Sequence, residues 1–423
     1  MRDARKTKTW WWPWNRDSTR CALVVGLCAA GVADAQPAHL EPGELPSGAL
    51  ETEPPAIDLM TFGIGDRIFE KFGHGAICLR YHQPRHPAVC FNYGVTDFSA
   101  GAIMVWNFLR SQQQFWVEPT SFHSMFSFYQ REDRDIWLQT LPLTGEQARA
   151  IEAKLWSDVR EENRYYNYDH FFDNCVTRLR DMVDQASGGA LRAGSDAPYP
   201  ITFRELGRRG LAGMPILLVL TDLVIGRQAD DHPTVWQAMF HPEIFRQQIA
   251  ARFGVEPRLL YKRRGPVFPV DGPSGRGELV ALAIAFTLPL VLAQWRRRFE
   301  IVALAWTTLW LVALGVIVWG PAIVSSIPGV RWNEAVFVAM PLDGALVFLP
   351  AAPRRRYALA RVGLIALCSL LAAIGVFHQP LWIVCLVVFL PMIAIALRVP
   401  TPERAVSAGT EPAAEPQAIS AAQ

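Results

Sequence analysis

From residue 279 to residue 397 the chain is dominated by five apolar segments, 279–294, 301–319, 335–351, 358–376 and 381–397, separated by short loops. Runs of that length have few places to go. In hydrocarbon every backbone amide and carbonyl must be paired within the protein, so about 17 to 25 apolar residues become a membrane-crossing helix. The spacing predicts an all-α transmembrane bundle of about five helices over 279–398. Pro341 and Asp343 interrupt the third segment. A carboxylate at a helix centre costs roughly 2.5 to 3.5 kcal/mol on insertion scales, so Asp343 is expected to face the bundle interior or water, near Trp332 and Asn333. A substrate-facing role and a structural polar contact both fit it. Arg296–Arg297–Arg298 and Arg354–Arg355–Arg356 follow the first and third segments. By the positive-inside rule both face the cytoplasm, which puts the loop 325–334 and everything before residue 279 outside.

The other end agrees with that orientation. Arg2, Arg5, Lys6, Lys8, Arg16 and Arg20 precede a short apolar run, 21–32, and then Ala33-Asp34-Ala35-Gln36. This is the pattern of a signal peptide over 1–35, cleaved after Ala35. Leu27 before Cys28 argues against a lipoprotein signal. Residues 36–56, rich in Pro, Glu and Gly, read as a linker. Residues 57–253 are long enough for one exported domain with its own core. A basic linker, 254–278, with Lys262, Arg263 and Arg264 on the outer side, is placed to meet lipid phosphates; residues 399–423 form a cytoplasmic tail. With 41 Lys and Arg against 39 Asp and Glu, the formal net charge is +2, which speaks against a nucleic-acid binder.

Of seven cysteines, Cys21 and Cys28 lie in the signal and Cys368 and Cys385 in the apolar segments, leaving Cys78, Cys90 and Cys175 in the domain. Two strand-like stretches, 75–81 and 88–93, flank a turn with Pro84 and Pro87. A turn centred near Pro84 sets Cys78 opposite Cys90, as a cross-strand disulfide or as two buried core cysteines. Side chains alternate faces along a strand, so the same register puts Asn92 diagonal to His74, where its amide can hold the imidazole; a one-residue slip puts Tyr93 there.

Cys175 reads as the first residue of a helix. Asp173 or Asn174 is a good N-cap, Cys175, Leu179 and Met182 share one stripe, and Gly188-Gly189 ends it. A thiol in the first turn meets unpaired amides that favour an anion and can line an oxyanion hole. Taken alone, Cys175 reads as readily as a structural cysteine, and His74 as a satisfied sheet histidine. Together in an exported domain they point to nucleophilic catalysis with Cys175 as nucleophile, His74 as base and Asn92 as its orienter. Tyr93, Asn174 and Arg178 are the candidate substrate-binding residues. Arg178 and Arg180 fit either a phosphate or solvent. The remaining histidines form no HExxH pattern and there is no CxxC, so no metal or other cofactor is expected. The stretch 211–225, broken by Pro215, reads as a membrane-lying lid or a core helix.

Over about residues 57–245 the chain resembles the exported domain of the Lnb-type bacterial lipoprotein N-acyltransferases. The likeness rests on Phe72-Gly73-His74-Gly75-Ala76, Phe91-Asn92-Tyr93-Gly94 with Asp97-Phe98, and Tyr166-Asn167-Tyr168 before Asp173-Asn174-Cys175. It rests further on Thr221-Asp222, Ala229-Asp230 and Met239-Phe240-His241-Pro242. The histidine-before-cysteine order is similar to the permuted papain-like fold of NlpC/P60-type hydrolases and lecithin:retinol acyltransferase. The resemblance implies an α+β, permuted papain-like (NlpC/P60-like) domain, ahead of the bundle, in the bacterial inner membrane. It also implies transfer of a fatty acyl chain, through a cysteine thioester, from a phospholipid donor to the α-amine of a diacylated lipoprotein acceptor. A periplasmic cysteine amidase or peptidase of cell-wall peptides is the alternative, and a non-enzymatic membrane scaffold a third reading.

Overall fold

Alternating and doubly apolar segments between residues 56 and 261 build one sheet. A computed structural model describes residues 53–83, 86–97, 102–269 and 271–397; the expected signal peptide, most of the linker 36–56 and the tail 399–423 lie outside the described residues. The strands are β1 (Ala56–Phe62), β2 (His74–Arg80), β3 (Val89–Val95), β4 (Gln114–Ser121), β5 (Ile136–Thr140), β6 (Tyr165–Asn167) and β7 (Arg258–Tyr261). They pair antiparallel in the order β6-β4-β3-β2-β1-β5-β7. Because side chains alternate, β1 turns Ile57 and Leu59 to one face and Met60 and Phe62 to the other, and all four are buried. Both faces of the sheet centre are therefore covered.

The helices of this part are α1 (Ala102–Leu109), α2 (Phe122–Arg131), α3 (Gly145–Asp158), α4 (Cys175–Ala186), α5 (Phe203–Gly210), α6 (Pro215–Val224), α7 (Val235–Ala238) and α8 (Pro242–Phe253). Ile57, Leu59, Ile77, Leu79 and Phe91 form one core with α3 and α4. Met60, Phe62, Ala76, Cys78 and Cys90 form a second with Met125, Phe128 and Tyr129 of α2. Cys78 and Cys90 are directly opposed and joined in a disulfide, which decides between the two alternatives the sequence left open.

The basic linker expected at 254–278 does not start as a linker. Its residues Arg258–Tyr261 pair with β5 as the sheet's edge strand. The basic cluster after it is tied to the domain rather than left for lipid phosphates: Arg263 reaches Asp66 and the Asp133 carbonyl, and Lys262 lies 3.4 Å from Asp135.

The C-terminal part contains α9 (Arg276–Arg296), α10 (Glu300–Val324), α11 (Pro328–Arg331), α12 (Ala351–Ala373) and α13 (Trp382–Ala396). Among the described residues α9, α10 and α12 are long and apolar enough to cross a membrane; α13 is apolar but has 15 residues. The third expected span is not one helix. Residues Glu334–Phe337 and Pro341–Val347 form two short 3-10 turns. Pro341 lacks the amide that a continuing helix needs, and Asp343 turns inward to a partner. That partner is neither Trp332 nor Asn333. Asp343, fully buried, accepts from Arg361 of α12 at 2.8 and 3.0 Å and from the Tyr357 hydroxyl at 2.8 Å. An uncompensated charge there would be costly, and a bidentate guanidinium with a phenol offsets the desolvation.

Helix α6 follows the core-helix alternative of the two the sequence left open. Val219 and Leu223 pack into the core of α9 and α10, so α6 belongs to the contact between the two parts of the molecule. That contact is dense in hydrogen bonds to backbone carbonyls: the Gly226 N–H donates to Gly329, the Arg227 N–H to Trp332, and the Asn333 side-chain Nδ2 to Leu223 and Val224.

Candidate active site

The N-terminus of α4 is held by a side chain with no spare capacity. Asn174 Oδ1 accepts from the amides of Val176 and Thr177, both at 2.9 Å, and Nδ2 donates to the carbonyls of His170 at 2.9 Å and Phe240 at 3.0 Å. Thr177 closes the box by accepting from the Asn174 amide. The expected substrate-binding role of Asn174 is thereby corrected: its amide is fully committed to aiming the first turn, and with it Cys175, at the sheet.

Two strand glycines make room for that turn. A methyl group on Gly75 would stand 3.2 and 3.3 Å from Leu179 and Val176, so α4 lies closer to β2 than a side chain allows. Gly94, at φ +90°, sits at the register shift between Tyr93 and Val95, and a methyl group on it would stand 3.5 Å from the Cys175 Cβ and 3.8 Å from the Tyr166 hydroxyl. The left-handed backbone there excludes most other residues.

Cys175 is buried, and it is the only cysteine outside a disulfide among the described residues before the apolar helices. Burial pushes its thiol up to about 11; hydrogen bonds from the amides of Gly75, Val176 and Cys175 itself, and the charge of Arg134, pull the other way. Backbone amides of β2 and of the first turn thus favour the anion that desolvation disfavours, although the Val176 amide is itself given to Asn174 Oδ1 at 2.9 Å. The resting group is nonetheless the thiol. A helix N-terminus alone predicts a thiolate, and here desolvation wins.

His74, the residue before Gly75, opens β2. Its Nε2 lies 3.3 Å from Asn92 Oδ1, on a strand whose register pairs Ala76 with Asn92. With the hydrogen on Nε2 donated to Asn92, Nδ1 is the basic nitrogen. Burial lowers the imidazole to about 4, the Arg134 charge adds to that, and the Asn92 hydrogen bond opposes it. The ring stacks at 6.0 Å on both Phe62 and Tyr129. Arg134, itself buried, lies 4.8 Å over the Tyr129 ring and donates to the Gly63 carbonyl.

The other two expected substrate contacts are engaged elsewhere. Tyr93 is buried on the α3 side, where its hydroxyl donates to Asp158 at 2.7 Å; it supports the core, not a ligand. Arg178 is held by Asp173 at 2.7 and 2.9 Å and stacks 3.7 Å over the Tyr166 ring, with 30% of its side chain exposed.

Sequence reasoning passed over Tyr129 and Arg134, which come from α2 and the turn after it, and it quoted Tyr166 only as part of a motif. The Tyr166 hydroxyl is buried without a hydrogen-bond partner among the described residues and lies beside Gly94 and Cys175. An orphaned buried donor next to a candidate nucleophile is the mark of a group whose partner arrives with substrate. Nothing in the spacing reveals it; only the β4–β6 pairing, with Phe115 opposite Tyr166, brings it there.

Comparison with curated proteins and with solved structures returns no match. Residues 50–209 match the family model described as the Lnb N-terminal periplasmic domain. That match runs from β1 into α5 and takes in His74, Asn92, Tyr166 and Cys175, so this segment of the chain is similar to the Lnb N-terminal periplasmic domain.

Proposed function

We propose that this protein is a cysteine-dependent acyltransferase that moves a fatty acyl chain from a phospholipid to the N-terminal α-amine of a diacylated lipoprotein. In this reading residues 1–35 are removed as a signal peptide, the sheet domain is periplasmic with a permuted papain-like arrangement, and the apolar helices are a multi-pass anchor in the inner membrane. The observation that carries it is the packing of α4, with Cys175 buried in its first turn, directly on Gly75, the residue after His74 with its Asn92 partner, in a domain joined to membrane-length helices. A hydrolase of soluble wall peptides has no need of such an anchor. An enzyme whose donor and acceptor both reside in the bilayer gains effective concentration from it.

The chemistry follows from the neutral resting pair. His74 Nδ1 takes the thiol proton as the Cys175 sulfur attacks the donor ester, and the developing oxyanion is met by the backbone amides and the Tyr166 hydroxyl. Collapse breaks the carbon–oxygen bond, His74 returns the proton to the leaving alkoxide, and a lysophospholipid departs from the thioester. The acceptor amine then attacks, His74 takes its proton and passes it to the departing sulfur, and an amide remains.

Intact-mass spectrometry of the protein incubated with phospholipid vesicles tests this. The expected result is a fatty-acyl adduct on the wild type, removed by hydroxylamine and absent from Cys175→Ala. No adduct and no lysophospholipid, with cleavage of muropeptides instead, would transfer the assignment to a wall amidase.

A further inference from the structure

Helix α1 is apolar on every side yet covered by protein on one. Its sequence is Ala-Ile-Met-Val-Trp-Asn-Phe-Leu. At 100° per residue, Met104 and Phe108 share one face; Val105, Leu109, Trp106 and Ile103 run round the opposite one, with Arg110 among them just past the helix end. Met104 is 5% exposed and Phe108 is half-buried, with its ring 6.2 Å from that of Tyr168. Ile103, Trp106 and Val105 are 66%, 48% and 38% exposed. A helix with an apolar outer face in water is unexplained unless a second apolar phase meets it.

The position of α1 says which phase. Its last carbonyl, on Leu109, accepts from the Ser326 amide at 3.0 Å and from the Ser325 hydroxyl at 2.7 Å. Ser325 is the residue that ends α10, 25 residues long and apolar enough to cross a membrane. One end of α1 is thus hydrogen-bonded to the point where a bilayer-length helix emerges. A tryptophan with a cation 5.9 Å from its ring, Arg110, is the side-chain pair that suits the headgroup level.

We propose that α1 lies in the membrane interface, with Ile103, Val105 and Trp106 among the acyl chains of the leaflet at the end of α10. The occupant of the exposed face is lipid, because the last carbonyl of α1 is hydrogen-bonded to the end of a membrane-length helix. The consequence reaches the site. Phe108, on the inner face, touches Tyr168, which stacks on Phe115 at 4.4 Å, and Tyr168 is within electrostatic reach of Cys175. An acyl chain leaving the leaflet along α1 meets an aromatic path to the thiol. This last step rests on the acyl-transfer reading; the membrane position of α1 does not.

The test uses the full chain in vesicles of phosphatidylethanolamine and phosphatidylglycerol, with a photoreactive amino acid placed singly at Ile103, Trp106, Trp295 of α9, or Ala153, which is exposed on α3. Lipid-mass adducts are expected at 103, 106 and 295 and not at 153. Lipid at 295 alone, adducts to a second copy of the chain at 103 and 106, or equal labelling at 153 would each overturn the proposal. In a second arm, I103E/W106E is expected to lose Cys175 acylation from vesicles while retaining it from the same phospholipid dispersed in detergent. Wild type that labels at 103 and 106 but never acylates would sink the enzyme reading and leave the membrane position standing.

Discussion

Burial favours the neutral forms of both Cys175 and His74, which separates this site from one holding a thiolate–imidazolium pair. The sign follows from burial: the charged form of each group is the one desolvated, so the thiol rises to about 11 and the imidazole falls to about 4. At neutral pH only a small fraction of Cys175 is thiolate. In a background lacking Cys368 and Cys385, alkylation by iodoacetamide is expected to be slow at pH 7 and to climb about tenfold per pH unit toward pH 11. His74→Ala should leave that profile in place, whereas in an ion pair it would abolish a plateau at neutral pH. Tyr166 supplies a sharper test. Its hydroxyl has no partner among the described residues, so Tyr166→Phe removes no hydrogen bond between them. Melting temperature should hold or rise slightly, since an unsatisfied buried donor costs about 1 to 3 kcal/mol. Acylation rate should fall by roughly 10² to 10³, the usual loss of an oxyanion donor. Equal loss of stability and rate would mean that the phenol is structural.

At the level of elements, α4 shows how one cap fixes a site. Asn174→Ala deletes both acceptor and donor bonds, orphaning two amides of the turn under Cys175 and freeing two carbonyls that join α4 to the segments carrying His170 and Phe240. The cost should exceed the roughly 1 kcal/mol of an ordinary cap and reach about 2 to 4 kcal/mol by denaturant titration, with Asn174→Asp recovering the cap half alone. The start of α4 was legible because a cap residue, a thiol and an apolar stripe at helical spacing are all local. The β2–β3 pairing was legible in part: a turn near Pro84 sets Cys78 opposite Cys90 and carries Asn92 to His74, and the structure takes that register rather than the one-residue slip that would bring Tyr93 there. What stayed hidden is what distant segments supply. Arg134 and Tyr129 lie far along the chain from both His74 and Cys175, and β7 looked like linker because four residues of an edge strand carry no period. The third apolar segment misled for a different reason: hydropathy counts side chains, and the break at Pro341 with the inward turn of Asp343 is a backbone and charge effect.

For the whole molecule the decisive question is whether the sheet domain and the apolar helices act as one body, because a site that draws substrate from a membrane must hold its height above it. The segment from Arg204 to Asp230 is where they join. Arg204, 5% exposed in its side chain, grips Asp230 at 2.8 and 3.0 Å and the carbonyls of Asp222, Ile225 and Gly226, while Asp222 lies within 3.9 Å of Arg276 in the first turn of α9. Gln379 and Asn333 bond the same stretch from the other side. Gly226 is the tightest point: a methyl group there would stand 2.3 Å from the Trp332 carbonyl oxygen, and main chain cannot rotate away as a side chain would. Gly226→Ala must therefore push the two parts apart, at a cost of about 1 to 3 kcal/mol concentrated in the junction. Gly207→Ala, inside α5 with open space around it, should be neutral or slightly stabilising by helix propensity. In detergent, Gly226→Ala is expected to split thermal unfolding into two steps and to open residues 225–232 to protease, while Cys175 keeps its wild-type alkylation profile because the sheet and α4 are untouched. A single cooperative transition in both variants would mean that the junction yields without separating, and that the height of the active site is set by α1 and Ser325 instead.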